Sequence, residues 1–282
     1  MADVYISTTG NDTTGDGSSG NPWLTISKAF TSSASGDIIH CLAGTYTWVS
    51  QTFTSPRTVV GDAGALTTIF DGAAANVGWI GADTLNISGL TFRDAVVTSF
   101  NNAIQNSGTA VVTVTNCIFE DLTAPGRALF GKTADATNGG TLKMIGCLFN
   151  GCDTNASGHY FGTQNITFSF ILYNCTFYSN VSDATTLIFY GMIEGGNPVV
   201  NFDLRNLIVM NGNGTPKAWF GLGVSNVTFT GTVAATNMIF DYTSLPAGLS
   251  GALTSDPLFV DAGAGNFELR PTSPAIGAGN VI

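Results

Sequence analysis

Four residues of this 282-residue chain are candidates for catalysis: Asp94, Glu120, Asp121 and Arg127. The three carboxylates each stand just behind a recurring pair of apolar residues, as do Asp153 and Asp241. Two carboxyl groups about 5–5.5 Å apart can perform retaining glycoside hydrolysis, one as proton donor and the other as nucleophile. If successive repeats stack, Asp94 and Asp121 fall about 5 Å apart, close to that range. Several converging carboxylates could also hold Ca2+, the one cofactor this pattern allows. The competing reading is that turn carboxylates cap and solvate the edges of the fold. His40, between Ile39 and Cys41, should point outward, and His159 in "NASGHYF" should lie in a loop. Their separation argues against a catalytic pair. No G-x-S-x-G, H-E-x-x-H, P-loop or dinucleotide-binding pattern is present.

The elements that must position these residues follow a repeat. "VTNCIFEDLT" holds Cys117 and Phe119, "MIGCLFNGCD" holds Cys147 and Phe149, and "LYNCTFYSNV" holds Cys175 and Phe177. Leu90/Phe92, Leu207/Val209 and Met238/Phe240 occupy the same two positions, so the steps are 27, 30, 28, 32 and 31 residues. Asn precedes the pair at Asn116, Asn174, Asn206 and Asn237. Alternating stretches such as "VVTVTN" and "TLKMIG" lead into it, the mark of strands with one buried face. A period near thirty, poor in helix formers and lacking WD or kelch signatures, predicts one solenoid coil per repeat. Each coil would hold two or three short strands that pair in parallel with the next.

In such a stack the cysteines allow three readings: an apolar ladder, a disulfide or a metal site. Equivalent cysteines would come within disulfide range, but stacked side chains point the same way, which is poor bridging geometry. A zinc site wants paired cysteines, as in C-x-x-C, whereas the repeated cysteines stand about thirty residues apart with no matching His. The predicted core ladder is therefore Cys117, Cys147 and Cys175 beside Phe92, Phe119, Phe149, Phe177 and Phe240. Cys41 should face inward and Cys152 should sit in a turn.

Composition agrees with a β solenoid and narrows function. Only 10% of residues are charged and 44% are hydrophobic, with 35 glycines. That balance excludes disorder, which needs many charges and few apolar groups. The net charge is −10, and nine Lys and Arg are scattered singly, so no groove for a nucleic-acid backbone is expected. No apolar run reaches the roughly 18 residues of a membrane span. "MADVYISTTG" has neither basic nor apolar signal-peptide regions.

The two ends carry a resemblance. "VYISTTGNDTTGDGSSGNPWLTISKAF" reads as a strand, a Gly/Asp/Asn loop and a short helix with Ile26, Ala29 and Phe30 on one face. "GDIIHCLAGTYT" follows, and "DPLFVDAGAGNFELRPTSPAIGAGN" closes the chain. This series resembles right-handed parallel β-helix proteins of the pectate-lyase-like superfamily, across nearly the whole chain. The resemblance implies a single all-β domain: residues 1–36 as strand, loop and capping helix, 37–254 as coils, and 255–282 as closing segment. The right hand of the coil is implied by the resemblance alone. Pectate lyases use carboxylate-bound calcium and an arginine base on the solenoid exterior. The local counterparts here are Arg93, Asp94, Arg127, Asp203 and Arg205, but no motif of that family surrounds them.

The superfamily also includes polygalacturonases, phage tailspikes and non-enzymatic virion proteins. The absence of a catalytic motif, the sparse charge and the missing leader favour a structural virion protein on a phage surface. Its partners would be other virion proteins, a symmetric homo-oligomer such as a trimer, and host glycans. Alternatives are a tailspike-like depolymerase, lyase or glycoside hydrolase, and a bacterial surface carbohydrate-binding protein. Trp48, Trp79, Trp219 and Tyr160, in Gly-rich or loop contexts, could stack on sugars or cover the solenoid ends. The loops Gly151–His159 and Gly191–Pro198 could meet partners.

Overall fold

A computed structural model describes residues 1–97, 102–124, 128–132, 139–153, 159–164, 168–178, 189–192, 200–210, 227–228, 239–240 and 255–278. Arg127, Trp219, Asp241, Asn237, Met238, most of the two partner loops and the side chains of His159, Tyr160 and Phe240 lie outside the described residues.

The chain is a single-domain, all-β parallel β-helix with one short α-helix. Three sheets run along it, of nine, eight and six strands among the described residues, and every pairing within them is parallel. One coil shows the plan. Leu85–Ser88 belongs to the first sheet, Thr91–Ala95 to the second and Ile104–Asn106 to the third. Val111–Thr115 then returns to the first, beside Leu85–Ser88. The predicted repeat is therefore one coil, with the Cys/Phe pair on the second sheet.

The asparagines ahead of that pair make the bend from first to second sheet. Asn116, Asn174 and Asn206 have φ of 51°, 54° and 53°, and Gly89 and Gly146 stand at the same step with φ of 66° and 62°. This left-handed region admits Asn and Gly most readily. The Asn206 amide donates to the Asn174 side-chain oxygen at 2.9 Å, so the bends are stitched along the axis. Gly146 has a second reason to lack a side chain. A Cβ there would come 2.4 Å from the Asn116 side-chain oxygen.

The interior is an aromatic stack. Phe92, Phe119, Phe149 and Phe177 follow at centroid distances of 5.4, 5.3 and 4.4 Å with planes within 11° of parallel. Tyr46 and Phe70 extend it downward, and Val209 replaces the ring on the coil after Phe177. The Phe240 backbone pairs with Val209, in register with the predicted ladder. Cys117, Cys147 and Cys175 are buried and free, with Leu90 and Leu207 at the equivalent steps. Burial pushes the Cys117 and Cys175 thiols up, so they behave as small apolar groups with a protonated sulfur. Cys41 is buried as expected.

Three expectations need correction. Trp48 and Trp79 are 1% and 0% exposed. Trp79 sits at an inward step of the third sheet, edge-on to Phe70 and Phe92 at 5.0 Å, and its indole N–H donates to the Val49 carbonyl at 3.2 Å. The flanking Gly78 and Gly81 serve close coil packing, not exposure: a Cβ on Gly78 would meet the Asn102 carbonyl at 2.1 Å. Cys152 follows the turn at Gly151 but points inward, forming a second interior row with Ala95 and Leu122. His159 begins a strand of the third sheet, opposite Ala128, because the frame also continues on that sheet.

The N-terminal end is closed as predicted. Ile26–Ser32 is helical and buries Ile26 and Ala29, while Phe30 packs edge-on to Phe53 at 5.2 Å. Thr25 caps the helix by accepting from the Lys28 N–H, and Asp12 binds the Leu24 N–H, the Thr25 N–H and the Thr25 hydroxyl. Arg57, an outer-rim residue by type, is buried. Its guanidinium donates to the carbonyls of Ser33 and Pro56 at 3.0 and 2.8 Å, at the helix C-terminus. The edge strand Asp3–Ile6 is not bare, since Tyr5 and Ser7 bond to Gly17 and Trp23 of the loop. At the other end of the chain, Phe259–Asp261 and Asn266–Leu269 form an antiparallel pair. Their Phe259 and Phe267 clasp Tyr178 on the outside of the second sheet, at 6.0 and 5.0 Å.

Candidate active site on the outer face of the second sheet

Because side chains alternate along a strand, each Phe of the ladder is followed by an outward residue. The register aligns these outward residues as Asp71, Arg93, Glu120, Asn150 and Tyr178. Neighbours in this row are roughly 4.8 Å apart, the spacing of paired strands. The row continues past the clasped Tyr178 to Met210.

Arg93 is the hub. Its Nε lies 2.9 Å from Asp71 on the preceding coil and 3.6 Å from Asp94 beside it. The hydrogen bond that Arg93 donates to Asp71, together with the charges of Asp71, Asp94 and Glu120, holds the guanidinium pKa above its usual value. On the next coils Asn150 Nδ2 donates to Glu120 Oε1 at 3.5 Å.

The residues one step further give the row its chemistry. Asp94 and Asp121 are neighbours on adjacent coils, with φ of 51° and 52°. Gly151 holds the same step on the next coil at φ 63°, and the Asp121 carboxylate fills the space where its Cβ would be, 2.5 Å away. A side chain in this region is strained by of order 1 kcal/mol, least so for Asp and Asn. Gly would suit all three steps, yet two carry carboxylates. Partial burial, and after it the negative charge of Asp94, push the Asp121 pKa up from its ordinary value, with Arg93 opposing. Asp94 is half exposed, its side chain at 50%. The arrangement thus sets a carboxyl whose pKa is raised beside a half-exposed aspartate on the next coil, a geometry open to acid–base work.

Other candidates fall elsewhere. Asp153 lies one coil on, where it pairs with Thr123. Among the described residues no three His, Cys, Asp or Glu side chains are placed to hold a metal ion. Asp203 and Arg205 sit on the first sheet and bind each other. His40 points outward, as expected, with Nδ1 2.6 Å from Asp62 and Nε2 3.4 Å from Asp3, stacked on Tyr5. Asp71 was not a candidate by sequence. "TTIFDG" carries the frame, with Phe70 as its ring, but that coil is shorter than the period of the others, which hides its alignment. No helix among the described residues is long and apolar enough to cross a membrane.

No family model and no curated protein matches the chain. Solved structures similar to it include a rhamnogalacturonan lyase, at 14% identity over 74% of this chain and 68% of that one, TM-score 0.46. An alginate lyase of the PL6 family is 12% identical over 82% of this chain and 39% of that one, TM-score 0.47. The pectin methylesterase PemA from Erwinia chrysanthemi is 14% identical over 74% and 79%, TM-score 0.36. Likenesses at this level bear on no residue of the site.

Proposed function

We propose that this β-helix binds a polysaccharide along the outer face of the second sheet and hydrolyses it with Asp121 and Asp94. The observation that carries this reading is the pair itself: two aspartates in left-handed conformation on adjacent coils, one of them raised in pKa, beside Arg93. Asp121, protonated, gives its proton to the glycosidic oxygen as the bond to the anomeric carbon breaks. Asp94 attacks that carbon from the opposite face and forms a glycosyl-enzyme ester. Water, losing a proton to Asp121, then attacks the same carbon and releases Asp94, so both carboxyls return to their starting state. Arg93, tied to Asp71, positions the Asp94 carboxylate. Glu120 and Asn150 supply hydrogen bonds for sugar rings on successive coils.

The test is to incubate the protein with neutral and acidic polysaccharides and to follow new reducing ends separately from unsaturated ends. Reducing ends without unsaturation, with Asp121→Asn and Asp94→Asn each slowed by about 10²–10⁴-fold, are expected for general acid and nucleophile. Unsaturated products would mean a lyase, and equal turnover by the variants would remove the pair from the chemistry. Binding without turnover would leave the rim as a contact surface. It would favour the non-enzymatic virion subunit, an assignment for which the sparse charge is the support.

A further inference from the structure

The outer face of the first sheet carries a second polar strip of opposite character. The register aligns Thr58, Asn86, Thr113, Lys143, Ile171 and Asp203 in one row. Beside it run Ser88, Thr115, Ile145, Tyr173 and Arg205. Both rows face outward, since Val59, Ile87, Val114, Met144, Leu172 and Leu204 between them are buried. From Thr58 to Asp203 the strip climbs five strand spacings, roughly 24 Å.

The charges converge at one end. Lys143 Nζ lies 5.5 Å from the centroid of the Tyr173 ring, and the Arg205 guanidinium lies 4.9 Å from the same ring. Asp203, the carboxylate of these two rows, is bound three ways: by Arg205 Nε at 2.8 Å, by Arg205 Nη2 at 2.9 Å and by the Tyr173 hydroxyl at 2.5 Å. The charges of Asp203 and Arg205 thereby offset each other, which leaves Lys143 as the uncompensated cation of the strip. Lys143 has no ion-pair partner among the described residues. Arg205 remains 39% exposed. A chain of net charge −10 with nine cationic residues thus places two of them on one ring, two coils apart, next to neutral hydroxyls and amides, on a strip whose one carboxylate is paired with the second of them.

We infer that this strip is a second glycan-binding site, for an anionic polysaccharide bearing carboxylate or sulfate groups. The narrow length suits a linear polymer, the Thr, Ser and Asn side chains suit sugar hydroxyls, and Lys143 recognises the acid group, with the part-exposed edge of the Arg205 guanidinium that Asp203 leaves open beside it. Two cations are too few for a backbone-tracking nucleic-acid site, which neutralises many phosphates. Tyr173 holds the cations in place, its ring lying between them. The inference takes its ligand class from the polysaccharide reading above but does not depend on cleavage. The strip is on a different sheet from Asp94 and Asp121.

The experiment is affinity electrophoresis at low salt, on protein carrying Asp94→Asn and Asp121→Asn so that no turnover intervenes. Alginate, dextran sulfate, neutral dextran and single-stranded DNA are the probes. The expected result is retardation by alginate or dextran sulfate and none by dextran, weakened about tenfold by Lys143→Gln with Arg205→Gln. Lys143→Gln alone, at an outward position, leaves the fold intact and should weaken binding by roughly threefold. Retardation untouched by these changes, retardation by neither anionic glycan, or a preference for DNA would each overturn the inference. If reducing-end release persists in the otherwise unmodified protein while this binding fails, the strip is wrong and the hydrolytic site stands. The converse result separates them the other way.

Discussion

Replacing Phe119 by Ala should be among the most damaging changes in this chain. Phe119 is fully buried, lies between Phe92 and Phe149 at 5.4 and 5.3 Å, and meets Phe130 edge-on at 4.8 Å. Truncating a buried Phe costs about 3–5 kcal/mol through lost transfer free energy and the cavity left behind. The upper part of that range applies, because parallel coils hold their spacing by backbone hydrogen bonds and cannot close over the gap. Ile118, its neighbour on the same strand, faces outward and is only half-buried. Ile118→Ala should cost about 1 kcal/mol, a fraction of a full burial. Urea unfolding of both variants, with the slope of the transition compared as well as the midpoint, measures the difference. A gap of about 3 kcal/mol supports the register. Equal costs would refute it, since a one-residue slip exchanges the two faces.

Asp121→Asn should leave the protein more stable than the parent at pH 7. The native carboxyl holds its proton more tightly than the unfolded one. Its favourable contribution is therefore full below the unfolded pKa of about 3.9 and is lost as pH rises through the folded value. Asn lacks that ionisation and tolerates the positive φ, so the gap between the two proteins should open with rising pH in urea titrations. A constant gap would contradict the raised pKa. Asn116→Ala should lose about 1–2 kcal/mol, by putting a Cβ-bearing residue without a compensating amide at φ 51°, whereas Asn116→Gly should lose much less. Differential scanning calorimetry ranks the two. Arg57→Ala should lower the melting temperature further than any exposed Lys change, since buried charge-assisted bonds to Ser33 and Pro56 are worth about 1.5–3 kcal/mol. Finally, burial pushes the Cys41, Cys117 and Cys175 thiols up and Cys152 up to about 12, and Cys147 is buried with them, so Ellman's reagent should react with none of the five until the protein unfolds.

Much of the fold was legible because a stack repeats its own sequence. Every coil meets its neighbours through the same steps, so Cys117, Cys147 and Cys175, and the phenylalanines two residues on, had to recur at the coil length. Alternation marked which side chains point inward, and the asparagines marked the left-handed bends. Trp79 escaped because it lies on the third sheet, whose frame is interrupted by loops of changing length, so its glycine neighbours read as a loop. Asp71 escaped for a related reason, a shortened coil.

For the site, sequence alone determined the residue types and their step: carboxylates just after the ring, at Asp94, Glu120 and Asp121. Tertiary structure alone decided what they face. Glu120 and Asp94 are on consecutive coils, yet it is register, not spacing along the chain, that puts Arg93 between Asp71 and Asp94 and lets burial, with the charge of Asp94 added, raise the pKa of Asp121. The same holds for Lys143, Tyr173 and Arg205, each about thirty residues along the chain and one strand spacing from the next. The physical reason is that coil lengths vary from repeat to repeat, and only strand pairing converts a variable sequence interval into a fixed distance in space.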